Sequence, residues 1–417
     1  MNGNTSEVKS LLQNGANPNH FSANYFTALH TASELNGIVQ MLLENGAEPN
    51  VVSTTKGKIT PLVFACSKEH IDIVSKLLRY SADGNLCDEN VLLKHEANIK
   101  TSTAQCVSPL YTASQNGHTE IVEYLLQNRA DVKRRCVNGN TALHTASERG
   151  HLSIVNILLE NDSEINFQSS SGSTPLYYAS ANGRTETVSR LIQLGADINK
   201  STVTGCSSLH GAADNGHEAV ISVLLTNGAN VNQQTEGGLT ALYFAARKSH
   251  IEVVNILLRH NADINLCTVQ DFSPLHTASE LGHLNVVQAL IQNGANVNHQ
   301  SNTGITALYF ASSKGRSNIA EFLLRNVADL NIYTVQGFSP LHTACEQGQI
   351  EVVKVLLKHN ADPFHCTNGG ENAFTFTLKK QHFLVLLQLI QNCALSRKYI
   401  FLALAGFISL ILAFLYE

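Results

Sequence analysis

Histidines at a fixed phase are the first residues in this chain that suggest chemistry. Five of them follow a leucine in the pattern Ser/Thr-x-Leu: His30, His144, His210, His276 and His342. Imidazole is a common metal ligand, so such a row could be interpreted as a metal site. Equivalent positions in successive repeats are too far apart to share one ion, whose ligands lie about 2 Å away. Tyrosine also replaces histidine at Tyr111, Tyr177, Tyr243 and Tyr309.

We therefore favour a structural role, in which each ring hydrogen-bonds the backbone or a capping hydroxyl in the first turn of a helix. The same interpretation applies to a second set at an inter-helix turn, His118, His151, His217 and His283. The sequence thus predicts no metal ligands and no cofactor.

Cysteine is the other residue type with reactive potential. The chain has nine cysteines, an odd number, and no two of them form a CxxC pair. Their scatter argues against a disulfide framework and against a zinc site, and favours free thiols in a reducing compartment.

Catalytic motifs are missing from the sequence. We find no GxxxxGK[ST], no GxGxxG after a strand, no GxSxG and no HExxH. The acidic, hydroxyl and imidazole side chains recur at repeat phases, whereas a catalytic set must occur once. We therefore expect no enzyme activity, no catalytic residues and no small-molecule substrate.

Composition excludes other classes of protein. The 417 residues include 28 Lys+Arg and 33 Asp+Glu, so the net charge of −5 offers no basic footprint for nucleic acid. With 43% hydrophobic and 15% charged residues, wholesale disorder is excluded. Tryptophan is absent and aromatic residues total 6%, which predicts an aliphatic core. The first ten residues contain no apolar run, so no signal peptide is expected.

An internal repeat in the sequence predicts the helices and turns that position these side chains. The pattern Ser/Thr-x-Leu-xxx-Ala recurs every 33 residues, with a single gap of 48 residues between Thr60 and Ser108. It starts at Thr27, Thr60, Ser108, Thr141, Thr174, Ser207, Thr240, Ser273, Thr306 and Ser339.

Each block predicts two short helices and a turn-rich finger. The Ser/Thr is a favourable N-cap, and proline often follows it at the first helical position, as at Pro61 and Pro274. Glycines such as Gly117 and Gly282 would end the first helix in a left-handed conformation. Two such helices are marginal alone, so the blocks must stack into an all-α solenoid.

These repeats resemble the ankyrin-repeat family. The copies at 141–161 (TALHTASERGHLSIVNILLEN) and 273–298 (SPLHTASELGHLNVVQALIQNGANVN) match its TPLHxAAxxGHxxVVxxLLxxGADVN pattern closely. The resemblance covers residues 1–393 and implies antiparallel helix pairs with β-hairpin fingers. It also implies that other proteins bind on the concave face formed by fingers and first helices.

Two places depart from the family pattern. The segment EVKSLLQNGANPN (7–19) is a second helix without a first, so we expect a partial unit at 1–26 and a truncated gene product as one explanation. A second partial unit, and a local irregularity in the stack, are expected at 84–107.

The residue just before each Ser/Thr cap lies, by the same resemblance, on the concave side of the finger. Its last four occurrences are apolar and would form a docking stripe; the alternative is that these side chains pack finger against finger. The predicted partner-binding residues are Leu239, Val269, Gln270, Phe272, Glu280, Ile305, Lys314, Val335, Gln336, Phe338 and Glu346.

The C-terminal segment is uncharged over residues 399–416 and follows a short linker, residues 394–398, that contains Arg397 and Lys398. We expect a transmembrane tail anchor that binds the lipid bilayer, with the repeats in the cytoplasm and the endoplasmic reticulum favoured weakly. The alternative is a final helix that caps the array. The predicted anchor residues are Tyr399, Phe401, Leu404, Phe407, Leu410, Phe414 and Tyr416.

The sequence therefore predicts a non-enzymatic protein-binding scaffold on the cytosolic face of a membrane. One alternative is an adaptor that recruits substrates to a ubiquitin ligase or another enzyme, although no adaptor box is legible. A second is a soluble scaffold whose C-terminal helix caps the array. A third is an enzyme or channel subunit, which would need oligomers because one span cannot form a pore.

Overall fold

The computed structural model describes residues 5–23, 26–33, 38–53, 59–83 and 107–395. The chain divides into two compact units. Unit one comprises Met1–Ala212 and Ser222–Ala229, and unit two comprises Ala213–Ile221 and Asn230–Glu417. The described residues form helices and turns without any strand, which confirms the predicted all-helical repeat fold.

Short first helices alternate with second helices along the chain. In unit one the first helices are Ala28–Ala32, Pro61–Ser67, Pro109–Asn116, Ala142–Arg149 and Pro175–Ala181. Its second helices are Thr5–Gln13, Val39–Glu44, Ile71–Arg79, Thr119–Gln127, Leu152–Glu160 and Thr185–Gln193. The pair Ser208–Asp214 and Glu218–Thr226 is divided between the units. In unit two the first helices are Ala241–Lys248, Pro274–Leu281, Ala307–Ser313, Pro340–Glu346 and Ala373–Lys379. Its second helices are Ile251–Arg259, Leu284–Gln292, Ser317–Arg325, Ile350–Lys358 and Phe383–Leu395.

The helix boundaries follow the predicted caps. The hydroxyl of Thr240 accepts a hydrogen bond of 3.2 Å from the Tyr243 N–H, which satisfies one of the unpaired donors of the first turn. At the other end, Gly282 ends its helix with a φ of 92°. This left-handed conformation is open to glycine without a Cβ penalty.

An aliphatic core lies between the two helices of each repeat and between neighbouring repeats. In one repeat, Leu275 and Ala278 of the first helix and Val286, Val287 and Leu290 of the second are at most 1% exposed. Burying a side chain of this size contributes about 1.5–3 kcal/mol. Within each unit the layer is shared between neighbouring repeats, so the helix pairs described there depend on their neighbours.

A first polar link between repeats runs through the buried histidines. The Ser273 N–H donates to His276 Nδ1 at 3.1 Å, so the proton of the neutral ring lies on Nε2. That N–H donates to the carbonyl of Ile305, in the next repeat, at 3.0 Å. Equivalent bonds join His30 to Ile59 O at 2.8 Å and His144 to Ser173 O at 3.2 Å. His342 bonds the next repeat at a different position, the carbonyl of His365, at 2.8 Å. The structural interpretation of these histidines is therefore confirmed.

A second polar link runs in the opposite direction. The ring of His250, just before a second helix, donates from Nε2 to the Asp214 carbonyl, which belongs to the preceding first helix, at 3.2 Å. A Cβ on Gly216 would lie 2.8 Å from that ring, so glycine is needed there for space as well as for its φ of 75°. Equivalent bonds join His151 to Gln115 O at 3.2 Å, Arg184 to Glu148 O at 3.0 Å and His283 to Arg247 O at 3.0 Å.

Asparagines provide a third link, at the turns that follow the second helices. Asn298 accepts from the Asp329 N–H at 2.8 Å and donates to the Val327 carbonyl at 3.1 Å. Asn19 makes the same pair of bonds to Glu48 and Gly46, at 2.8 and 3.0 Å. Backbone groups that one repeat leaves unpaired are thus satisfied by the repeat beside it.

The fingers differ from the β-hairpins that the family resemblance implied. In the finger before Ser273, the Thr268 N–H donates to Phe272 O at 3.0 Å, and the Asp271 N–H donates to Thr268 O at 2.8 Å. These two bonds close a tight turn. Because only three residues separate Thr268 from Phe272, the turn is too short for a ladder of strand hydrogen bonds. The fingers of the described chain are therefore hairpin-like turns.

The predicted irregular region and the predicted anchor fall largely outside the described residues. The first helix Pro61–Ser67 packs against Pro109–Asn116, and His118 Nε2 lies 3.4 Å from Ser67 O, so repeats on either side of 84–106 are neighbours. The partial unit predicted for 84–107 lies outside the described residues except for Val107. So does the predicted membrane segment, 399–416. Among the helices that are described, none combines the length and apolar character needed to cross a bilayer.

The buried histidines predict a pH-dependent stability. Burial lowers the pKa of His144 and of His276 from the ordinary 6.5 to about 4. Between these values the unfolded chain binds a proton that the folded chain does not, so stability is present above about pH 6.5 and is lost as the pH falls towards 4. Each ring would contribute a loss of about 3 kcal/mol, which urea unfolding followed by circular dichroism can measure.

The variant His276→Gln keeps a donor and an acceptor but cannot take up the proton. It should lose less stability on acidification than the wild type does. His260→Gln, at an exposed histidine, is the matched control and should keep the wild-type slope. Equal slopes in the wild type and in His276→Gln would contradict the assignment.

Candidate protein-binding surface

The predicted docking stripe is half-buried rather than open. Leu239, Phe272, Ile305 and Phe338 all have intermediate exposure. The Phe272 ring lies 5.4 Å from the ring of Phe310, which belongs to the next first helix, and 5.7 Å from that of His276. Phe272 thus packs on the first helix of the next repeat, whereas the alternative interpretation had placed such side chains finger against finger.

The same aromatic cluster recurs in other repeats. Phe338 lies 5.3 Å from Phe376, and in unit one Phe26 lies 5.3 Å from Phe64. In each case the capping histidine is the third ring of the cluster. A charged substitution at Phe272 or Phe338 would disturb this packing and would therefore report on folding as much as on binding.

The finger tips are the exposed part of the predicted surface. Val269 and Val335 are 59% and 68% exposed, and the adjacent Gln270 and Gln336 are also exposed. Exposed valines at a regular spacing bury little surface within the fold. They are therefore available for contact with another molecule.

Sequence reasoning missed two exposed valines at the same finger position in unit one. Val137 and Val203, in unit one, are 54% and 63% exposed and lie 66 residues apart, the same spacing as Val269 and Val335. Polar residues occupy the corresponding tips between them, as Ser170 does. The 66-residue spacing is visible in the sequence and would have identified them. We call Val269 and Val335, which both belong to unit two, the finger-tip valines.

Backbone hydrogen bonds hold these tips in place. The Val269 N–H donates to Gly237 O at 3.1 Å, and the Val335 N–H donates to Thr303 O at 3.0 Å, each in the preceding finger. In unit one, Val203 N donates to Ser171 O at 2.9 Å. A side chain on a fixed backbone loses little conformational entropy when a partner binds.

The predicted charged residues on the first helices pair with one another. Lys314 Nζ lies 3.4 Å from a carboxylate oxygen of Glu280, and Lys380 Nζ lies 3.8 Å from Glu346. These pairs join the ends of neighbouring first helices. Exposed pairs of this kind contribute about 0–1 kcal/mol. Glu280, Lys314 and Glu346 each therefore take part in an ion pair.

Two of the cysteines are buried thiols in the core. Cys66 and Cys345 are both fully buried in first helices, and burial raises the pKa of each thiol well above its ordinary value. A protonated thiol in an apolar layer is a poor nucleophile. These side chains therefore act as small core residues.

Comparisons with known families agree with this geometry. Models described as ankyrin repeats (3 copies) match residues 1–88, 83–169, 161–235, 209–301 and 289–365. A model described as ankyrin repeats (many copies) matches residues 341–390. No curated protein matched the chain.

Proposed function

The chain belongs to the ankyrin-repeat family, and from this premise we propose that it is a non-enzymatic scaffold whose protein partner docks on the finger-tip valines and their flanking glutamines. The observation that carries the proposal is the pair of exposed valines held on a hydrogen-bonded finger backbone. The half-buried stripe of Leu239, Phe272, Ile305 and Phe338 lies beneath the finger-tip valines. The partner is anchored by the valines and not by the stripe.

The partner's chemistry follows from the residues on this surface. Val269 and Val335 offer apolar contact, while Gln270 and Gln336 offer neutral donors and acceptors. The charged residues predicted to share the surface, Glu280, Lys314 and Glu346, are already paired. We therefore propose a partner segment with small apolar side chains and exposed backbone or amide groups, rather than a strongly charged segment.

Membrane display is the second part of the proposal. Residues 399–416 form an uncharged run of 18 residues. As a helix they would extend about 27 Å, close to a hydrocarbon core of about 30 Å. We propose that this segment anchors the repeats to the cytosolic face of a membrane. A partner bound there would be confined to that surface.

The docking surface can be tested by proximity labelling with the full-length protein. Val269→Asp combined with Val335→Asp should reduce labelling of its partners by about tenfold or more, because a charge replaces apolar contact at an anchor. The matched control is Val327→Asp, at a valine that is 81% exposed in the turn after a second helix and outside the fingers. It should label as the wild type does.

An unchanged set of partners in the double variant would contradict the docking surface, provided that circular dichroism shows native helix content. Loss of labelling in Val327→Asp as well would place the contact elsewhere. Labelled subunits of a ubiquitin ligase that depend on the finger-tip valines would indicate the adaptor function instead.

The anchor is tested by alkaline extraction of membranes from cells that express either the full chain or a chain ending at Ser396. The full chain should remain in the pellet and the shorter chain should be released, because only the former has the apolar run. Added protease should digest the repeats of the full chain in intact vesicles. Release of the full chain by alkali would contradict the anchor and favour a helix that caps the array.

A further inference from the structure

Three potential metal ligands meet in unit two, at the finger that precedes Ser273. They are the thiol of Cys267, the carboxylate of Asp271 and the imidazole of His299, and one ligand atom from each lies within 4.8 Å of the others. His299 Nε2 is 3.2 Å from Cys267 Sγ and 3.2 Å from Asp271 Oδ1. His299 comes from the next repeat, so the group joins two fingers.

All three residues differ from those at the same phase in the neighbouring repeats, although Cys366 shares the phase of Cys267, and His20 and His365 share that of His299. At the phase of Cys267 the neighbouring repeats have Gln234 and Gln300. At the phase of His299 they have Leu266 and Ile332. A set of side chains that serves stacking alone recurs with the repeat, as the capping histidines do. The combination of all three occurs once among the described residues, and stacking does not require it.

Asp271 is the most informative of these departures. The equivalent residue is a glycine in other fingers, including Gly238 and Gly304, where φ is 76° and 79°. Asp271 has a φ of 66°, a left-handed conformation that aspartate tolerates less well than glycine. Its carboxylate thereby reaches His299 from a backbone position that otherwise requires glycine.

The next finger accommodates this extra side chain. At Gly304 an added Cβ would lie 2.9 Å from the carbonyl oxygen of Tyr333, in the following finger. Beside Asp271, the bond from the Asn302 N–H to Gln270 O is 3.3 Å long, against 3.0 Å for the equivalent bond from Asn368 to Gln336 O. The hydrogen bond between neighbouring fingers is thus longer beside Asp271 than beside Gly337.

We propose that Cys267, Asp271 and His299 bind one divalent transition-metal ion, and that zinc is the ion they fit. Thiolate, imidazole and carboxylate are the ligands that zinc accepts in tetrahedral sites. Bond lengths of about 2.3 Å to sulfur and about 2.1 Å to nitrogen put such ligand atoms roughly 3.5 Å apart. The separations of 3.2 Å therefore need little adjustment.

On binding, the Cys267 thiol releases its proton to solvent and the thiolate sulfur bonds to the ion. Asp271 and His299 are 42% and 26% exposed, so water can reach the site and fill the fourth position. Val269 and Gln270 lie between two of the ligands in the chain. The ion would therefore fix the tip of one finger and tie it to the next.

The site is tested by titrating the full-length protein, in detergent micelles, with cobalt(II) and then with zinc. Cobalt should produce a thiolate-to-metal charge-transfer band and the visible bands of a tetrahedral site, saturating at one ion per chain, and zinc should abolish them. Cys267→Ser should remove the charge-transfer band. Cys366→Ser is the matched control: this exposed cysteine has the same finger phase, but Gly370 stands where Asp271 would.

The variants Asp271→Gly and His299→Gln should weaken cobalt binding by more than about tenfold, since even outer-shell partners have effects of that size. Asp271→Gly introduces the glycine that the other fingers have at this position, so this variant should fold at least as well as the wild type. A loss of cobalt binding in it would therefore come from the missing carboxylate and not from unfolding. A charge-transfer band that survives Cys267→Ser, or an affinity unchanged in both other variants, would overturn the proposal. So would the absence of any such band in the wild type.

Discussion

The structure depends on backbone groups that one repeat cannot satisfy by itself. Helices of seven to nine residues, such as Pro340–Glu346 and Ile350–Lys358, leave a large share of their N–H and C=O groups at their ends. Side chains of the adjacent repeat bond several of these groups: His276 reaches forward to Ile305, and His250 reaches back to Asp214. Since these bonds are buried or half-buried, breaking one leaves a carbonyl without water or a partner, at a cost of about 1–3 kcal/mol. Stacking within each unit is therefore a condition of folding.

The same arrangement explains why the finger tips are exposed and yet ordered. The finger backbone is bonded to its neighbour, as at Val269 and Gly237, so the tip side chains are not needed for the stack. Half-buried finger residues such as Phe272 instead pack in aromatic clusters with the next repeat. Substitutions of the side chains at the finger tips can thus change the partner without disturbing the core. Residues that break the repeat at the tips, as Asp271 does, are where a function particular to this chain should be sought.

Much of the local structure was predictable from the sequence, because it depends on contacts within one repeat. Thr240 and Gly282 act at the ends of their own helices, and spacing alone identifies them. The role of His276 in the first turn was predictable for the same reason, but its acceptor was not, because Ile305 belongs to another repeat. The packing of Phe272 on Phe310 and the approach of His299 to Cys267 likewise join residues about one repeat apart. For the approach of His299 to Cys267, the one signal in the sequence was Asp271, an aspartate at a position that is glycine in other fingers. Sequence reasoning missed it.

The interdependence of neighbouring repeats is tested most directly by hydrogen exchange in His276→Ala, followed by mass spectrometry. That variant removes the acceptor of the Ser273 N–H and the donor to Ile305 O. Faster exchange is expected in the next first helix, Ala307–Ser313, as well as in Pro274–Leu281, because the two share one hydrogen-bonded boundary. Faster exchange confined to Pro274–Leu281, with Ala307–Ser313 protected as in the wild type, would contradict the claim that each repeat is completed by its neighbour.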